Sequence, residues 1–160
     1  MENLQIDNLD RRILEILMED ARIPFLEVAR KLGVSGATIH QRVKSMMRRG
    51  IIRGTCYEVD PGRLGYRTCA YIGIYLEEAR LYHQVVEELR KIPEITQCHY
   101  TTGVYSIFIK VYTRDNEHLK EVLADKLQEV AGIARTETFI SLEESFNRQV
   151  AIGRMEEFKS

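Results

Sequence analysis

Residues 24–50 read "PFLEVARKLGVSGATIHQRVKSMMRRG", and two helices joined by a glycine can be followed in them. Pro24 suits a helix's first turn, and Leu26, Val28, Ala29 and Leu32 then recur at helical spacing up to Gly33, a natural stop. Ser35 can cap the next helix, in which Ile39, Val43, Met46 and Met47 form an apolar stripe ending at Gly50. Helix, tight turn and second helix make a helix-turn-helix. Ala29 is small enough for a close crossing, with Val34 and Ile39 filling the space between the helices. Upstream, Asp7 can cap a further helix carrying Leu9, Ile13, Ile16 and Leu17, which Glu19, Asp20 and "ARIP" terminate.

The same region has an unusual charge. The 160-residue chain has a net charge of -1, yet Val28 to Tyr57 contains no Asp or Glu. It holds Arg30, Lys31, Arg42, Lys44, Arg48, Arg49 and Arg53. Carboxylates would repel a phosphate backbone, whereas these cations could displace its condensed counterions. On a helical wheel centred on Ile39 and Val43, the opposite face carries Ala37, Thr38, Gln41, Lys44, Ser45 and Arg48, with Arg42 on a flank. Together with Ser35 at the helix start, these are the candidate contacts to double-stranded DNA. Gln can pair with adenine, Arg and Lys with guanine or phosphate, and small residues permit close approach.

The expected division is a helix-turn-helix domain over 1–50, a strand and hinge over 51–66, a second domain over 67–145, and a tail over 146–160. The strand expected in "IIRGTCYEVDPGRLGY" would make the first domain a winged helix-turn-helix. Beyond it, "TCAYIGIYL", "EITQCHY", "YSIFIKVY" and "IARTETFISL" alternate with two helical stretches. That βαββαβ order is the ferredoxin-like arrangement, so the chain is expected to be α+β, with both helices on one sheet face. Tyr71, Tyr75, Tyr105, Ile107 and Ile109 are expected on the other face, where a second copy would cover them. A dimer would set two helix-turn-helix units on successive turns of a near-palindromic site.

Composition is that of a globular protein, 44% hydrophobic and 29% charged. No apolar run approaches the roughly 20 residues that cross a bilayer, so no membrane partner is expected. "MENLQIDNLDRR" lacks the basic start and apolar core of a signal peptide, which points to the cytoplasm. Cys56, Cys69 and Cys98 are too scattered for a zinc site and are expected as buried, reduced thiols. No compact His, Cys and carboxylate constellation suggests an enzyme, and no cofactor is implied. Glu77, Glu78, Glu143 and Glu144 are expected as solvated charge, and His83 and His118 as surface residues.

The chain resembles the Lrp/AsnC, or feast/famine, family of transcription regulators. The resemblance lies in "LDRRILEILMEDARIPFLEVARKLGVSGATIHQRVKSMMRRGII", "TTGVYSIFIKV" and "GIARTETFISLEE". It implies a sequence-specific regulator whose assembly or DNA binding responds to a small metabolite, commonly an amino acid, and which forms dimers and octamers of four dimers. It also places an effector near Thr102, Gly103, Val104, Tyr105 and Ser106, with Thr136 and Thr138 nearby. This loop departs from the Gly-Asp-Tyr-Asp common among amino-acid-binding members, so neither acid is there to meet an ammonium group. Two alternatives remain: an architectural DNA-wrapping protein, and a decarboxylase of haem precursors, which such chains also resemble.

Overall fold

A computed structural model describes residues 6–152; the first five residues, and residues 153–160 of the expected tail, lie outside the described residues. Among the described residues the chain divides into two units, 6–58 with 148–152, and 59–147.

In the first unit, α1 spans Asn8–Glu19, α2 Phe25–Leu32 and α3 Gly36–Arg48. Each start has a chemical cause. The Asp7 carboxylate accepts the Asp10 N–H at 2.8 Å, and the Asp10 carboxylate accepts the Asp7 N–H at 3.4 Å, a reciprocal capping box. Ser35 Oγ accepts the Thr38 N–H at 3.1 Å. Between α2 and α3, Gly33 takes φ 68°, and the Val34 N–H reaches the Ala29 carbonyl at 3.1 Å, closing the turn.

The core of this unit gathers Ile13, Leu14, Ile23, Val28, Ala29, Ile39, Val43 and Met46. Two residues expected in apolar stripes are not in it. Leu26 is 58% and Met47 48% exposed. The buried seam of α2 runs through 25, 28, 29 and 32, and that of α3 through 39, 43 and 46. Leu26 and Met47 each stand one residue, about 100°, off the seam.

The strand expected within 51–66 is not formed, so this unit has no strand to serve as a wing among the described residues. Strands need a second backbone to pair with, and a unit of helices supplies none. Instead, the N–H groups of Ile51 and Ile52 bond back to the Met46 carbonyl at 2.9 and 3.3 Å, and both side chains pack against the helical core. The Asp60 carboxylate then caps a turn by accepting the Gly62 N–H at 2.8 Å. Ile152 also packs against the helical core, so the tail returns to the unit in which the chain began.

The second unit is the expected βαββαβ arrangement. Strands β1 (Thr68–Leu76), β2 (Ile95–Tyr100), β3 (Ile107–Thr113) and β4 (Ile133–Ser141) lie in the order β2-β3-β1-β4, every pair antiparallel. Helix α4 spans Tyr82–Leu89; α5 spans Asn116–Glu121 and continues as a π-helical turn, Val122–Leu127. Val85, Leu89, Val122 and Leu127 pack with Ile72, Ile74, Ile107, Ile109 and Val111. Ile107 and Ile109 therefore face the helices rather than the open face expected for them. The expectation carried a two-residue period back to Tyr105, but the strand starts at Ile107 and Tyr105 is still in the loop. Alternation from Ile107 directs Phe108, Lys110 and Tyr112 to the open face.

Candidate nucleic-acid interface and effector region

Along α3, Ala37, His40, Gln41, Lys44 and Arg48 are exposed, and Thr38 and Ser45 half-buried. The hydroxyls of Ser35 and Thr38 lie 2.8 Å apart, so both are engaged in fixing the start of the helix. His40 was not among the sequence candidates, although it stands three residues after Ala37 and four before Lys44, on their face. Its ring meets the Phe25 ring edge-on at 4.7 Å between centroids, which ties α3 to α2.

Arg42 is differently placed from its neighbours. Its Nη1 donates to the carboxylates of Asp7 and of Asp10, the latter at 3.3 Å. Asp10 is only 4% exposed, so Arg42 neutralises a buried acid. The backbone N–H of Asp10, together with the Arg42 guanidinium, holds the Asp7 carboxyl below its ordinary range despite some desolvation. Arg42 thus positions α3 against the start of α1. Nearby, the Arg22 guanidinium lies 4.6 Å from the centre of the Tyr57 ring, holding the segment after α3.

In the second unit, the loop 101–106 is closed by the Thr101 N–H bonding to the Ser106 carbonyl at 3.1 Å and the Thr101 hydroxyl to the Tyr105 carbonyl at 2.6 Å. Gly103 adopts φ 108°, and Thr102, Gly103 and Val104 are exposed. Ser106 and Thr136 flank Ile74: the Ser106 N–H bonds to the Ile74 carbonyl at 3.0 Å, and Thr136 is the β4 partner of Ile74. Tyr105 points elsewhere. Its ring covers Gly73 so closely that a Cβ there would lie 2.4 Å from a ring carbon. Thr136 and Thr138 pair with the helix-facing Ile74 and Ile72, on the opposite side of the sheet from Tyr105. The seven effector candidates are therefore not one cluster.

What surrounds Tyr105 was not anticipated. Its hydroxyl donates to Glu137 Oε2 at 2.8 Å, and the Tyr75 hydroxyl donates to Oε1 at 3.1 Å. Arg135 bridges to Glu137 at 3.2 Å and lies over the Tyr75 ring at 3.9 Å. The Tyr105 and Tyr75 hydroxyls hold the Glu137 carboxyl below its usual range, and the same bond raises the Tyr105 phenol. Register explains the omission: Glu137 is the cross-strand partner of Gly73, a pairing no local window displays.

Three expectations about charge and thiols are corrected. Glu144 is not simply solvated: it accepts from the Lys110 ammonium at 2.6 Å, and Lys110 is 6% exposed. Burial alone would lower the Lys110 pKa, but Glu144 raises it further. His118 has a partner, with Nε2 3.1 Å from Glu94 Oε1, which also accepts from Lys126 at 2.7 Å. Arg114 also reaches His118 Nδ1 from its N–H and Nε, both at 3.3 Å. Cys56 and Cys98 are exposed rather than buried, because Cys56 lies in the unpaired segment and Cys98 on an edge strand, β2.

No described helix is long and apolar enough to cross a membrane. Among the described residues, no group of three or more His, Cys, Asp or Glu side chains could hold a metal ion.

Residues 6–47 match the AsnC-type helix-turn-helix domain, and residues 69–151 the Lrp/AsnC ligand binding domain. The regulatory protein AsnC of Escherichia coli K12 is 46% identical over 150 residues, covering 94% of this chain and 99% of that protein. The AsnC of Haemophilus influenzae is 45% identical over 145 residues, covering 91% and 97%. The solved structure of E. coli AsnC superposes with a TM-score of 0.87 at 45% identity, covering 91% of this chain and 98% of that one. A Neisseria meningitidis transcriptional regulator, solved in complex with L-Met, shares the fold at 21% identity with a TM-score of 0.83, covering 90% and 94%.

Proposed function

The chain belongs to the Lrp/AsnC family of transcription regulators, and from that premise we propose which of its residues do the regulator's work. Helix α3 enters the major groove, with Ala37 and Gln41 toward base edges and Lys44 and Arg48 toward phosphates or guanine. Ser35, Thr38 and Ser45 hold the start and flank of that helix, and Arg42 sets its angle through Asp7 and Asp10. The observation that carries this reading is the exposed row Ala37, Gln41, Lys44 and Arg48, in a stretch without a carboxylate from Val28 to Tyr57.

The metabolite is an amino acid held near Thr102, Gly103, Val104, Ser106 and Thr136. The N–H groups around Gly103 suit its carboxylate. The L-Met complex of the Neisseria relative supports that ligand class. Two copies bring their open sheet faces together, removing Tyr71, Phe108 and Phe139 from water, and such dimers associate into octamers. The protein acts by binding rather than catalysis, in keeping with the naming of its relatives as regulatory proteins.

Selection from a random duplex pool, followed by footprinting, tests the DNA reading. Two protected half-sites one helical turn apart support it; uniform protection of any duplex would replace it with DNA packaging. A melting-temperature screen of the twenty amino acids tests the effector. A ligand present at 100 times its Kd should stabilise the native protein by about 2.7 kcal/mol.

A further inference from the structure

A single exposed leucine is ordinary on a protein surface, but Leu26 has unusual surroundings. It is 58% exposed, and its Cδ1 lies 4.0 Å from where a Cβ on Gly36, the first residue of α3, would sit. Ala37 follows and is exposed, while the Thr38 hydroxyl is bound to Ser35. The first turn of α3 therefore presents no long hydrogen-bonding side chain of its own. It presents a methyl group and a glycine, with an α2 leucine reaching across beside them.

If α3 enters the major groove, this apolar tip meets base edges, and the apolar feature displayed there is the C5-methyl of thymine. We propose that Leu26 is a specificity-determining residue that contacts a thymine methyl in each half-site, adding a reader from outside the recognition helix. The proposal rests on the DNA-binding reading of α3 and goes further, because it names a base and the atom read.

Uracil is thymine without that methyl, so single thymine-to-uracil replacements isolate the contact. The probes are duplexes recovered from a random pool by the wild-type protein, carrying one uracil at a time, with affinity followed by fluorescence anisotropy. Wild type should bind about four-fold more weakly when one particular thymine per half-site is replaced, as expected for one buried methyl-sized group. Leu26→Ala, whose fold is checked by circular dichroism, removes the contact from both half-sites, so it should lose the square of that factor, roughly 16-fold, on the thymine probe and cease to distinguish uracil there. Leu26→Met should keep the discrimination. Equal uracil effects in wild type and Leu26→Ala at every position, or none in wild type, would overturn the contact. Failure of the wild type to recover any sequence would instead sink the DNA-reading proposal beneath it.

Discussion

Helix α3 and the loop 101–106 both carry candidate contacts, yet they are built on opposite plans. The α3 face is local: cap, stripe and exposed row lie within fourteen consecutive residues, from Ser35 to Arg48. The region around Tyr105 is assembled across the sheet, from the loop, Gly73 and Tyr75 of β1, and Arg135 and Glu137 of β4. The local surface leaves Gln41, Lys44 and Arg48 exposed to a partner. The assembled one has already joined many of its polar groups to each other, and its rigidity depends on distant residues.

Substitutions at these distant residues should break the comparison most visibly. Gly73→Ala places a Cβ inside the Tyr105 ring's position, so the ring must leave Glu137. Overpacking of this kind costs about 1–3 kcal/mol, and the loss should appear as a lower melting temperature. Hydrogen exchange should report the loosening at the loop 101–106 and leave α1 to α3 protected; equal loss in both units would contradict the assembled character of the site.

In α3, the contrast can be sharpened with two cations two residues apart. Arg42→Ala strands the buried Asp10 carboxylate, which should cost about 1–2 kcal/mol of stability by denaturant titration. Lys44 is exposed, and Lys44→Ala should leave the unfolding midpoint in place. Matching destabilisation by the two variants would erase the distinction between a positioning cation and a contacting one.

The smallest effect is the part of the pH dependence that Asp7 contributes in the first unit. Because the folded Asp7 carboxyl lies below its ordinary value of 3.8, its contribution is full above that value. It should disappear as the pH falls through the still lower folded value. Asp7 is half exposed, so no more than about 1 kcal/mol is at stake. Thermal melts between pH 5 and pH 2 should show a steeper loss for wild type than for Asp7→Asn.

The same contrast explains what could be read from the chain alone. Caps and stops act within a few residues, so Asp7, Ser35 and Gly33 marked their helices correctly. The order of strands and helices in the second unit was equally plain from periodicity, whereas the strand expected within 51–66 has no partner to pair with and did not form. What failed was phase and partnership. Leu26 and Met47 are apolar and close to the seam but one residue off it, a distinction that depends on where the neighbouring helix lies. Tyr105 continues the alternation of Ile107 and Ile109 in sequence, but the chain has not yet entered the strand. His118 and Glu144 looked solvated because Glu94 and Lys110 stand 24 and 34 residues away. His40 needed no structure: its spacing from Ala37 and Lys44 was enough to include it.

The most direct check on the proposed DNA interface is a salt titration of duplex binding by wild type, Lys44→Ala and Gln41→Ala, on a site recovered by the wild type. Lys44→Ala should weaken binding and reduce the slope of log affinity against log salt by about 2, as one phosphate contact is lost in each half-site. Gln41→Ala should lose about 10- to 100-fold in affinity, with the slope retained. Unchanged affinity and slope in both variants would mean that the exposed face of α3 does not meet DNA.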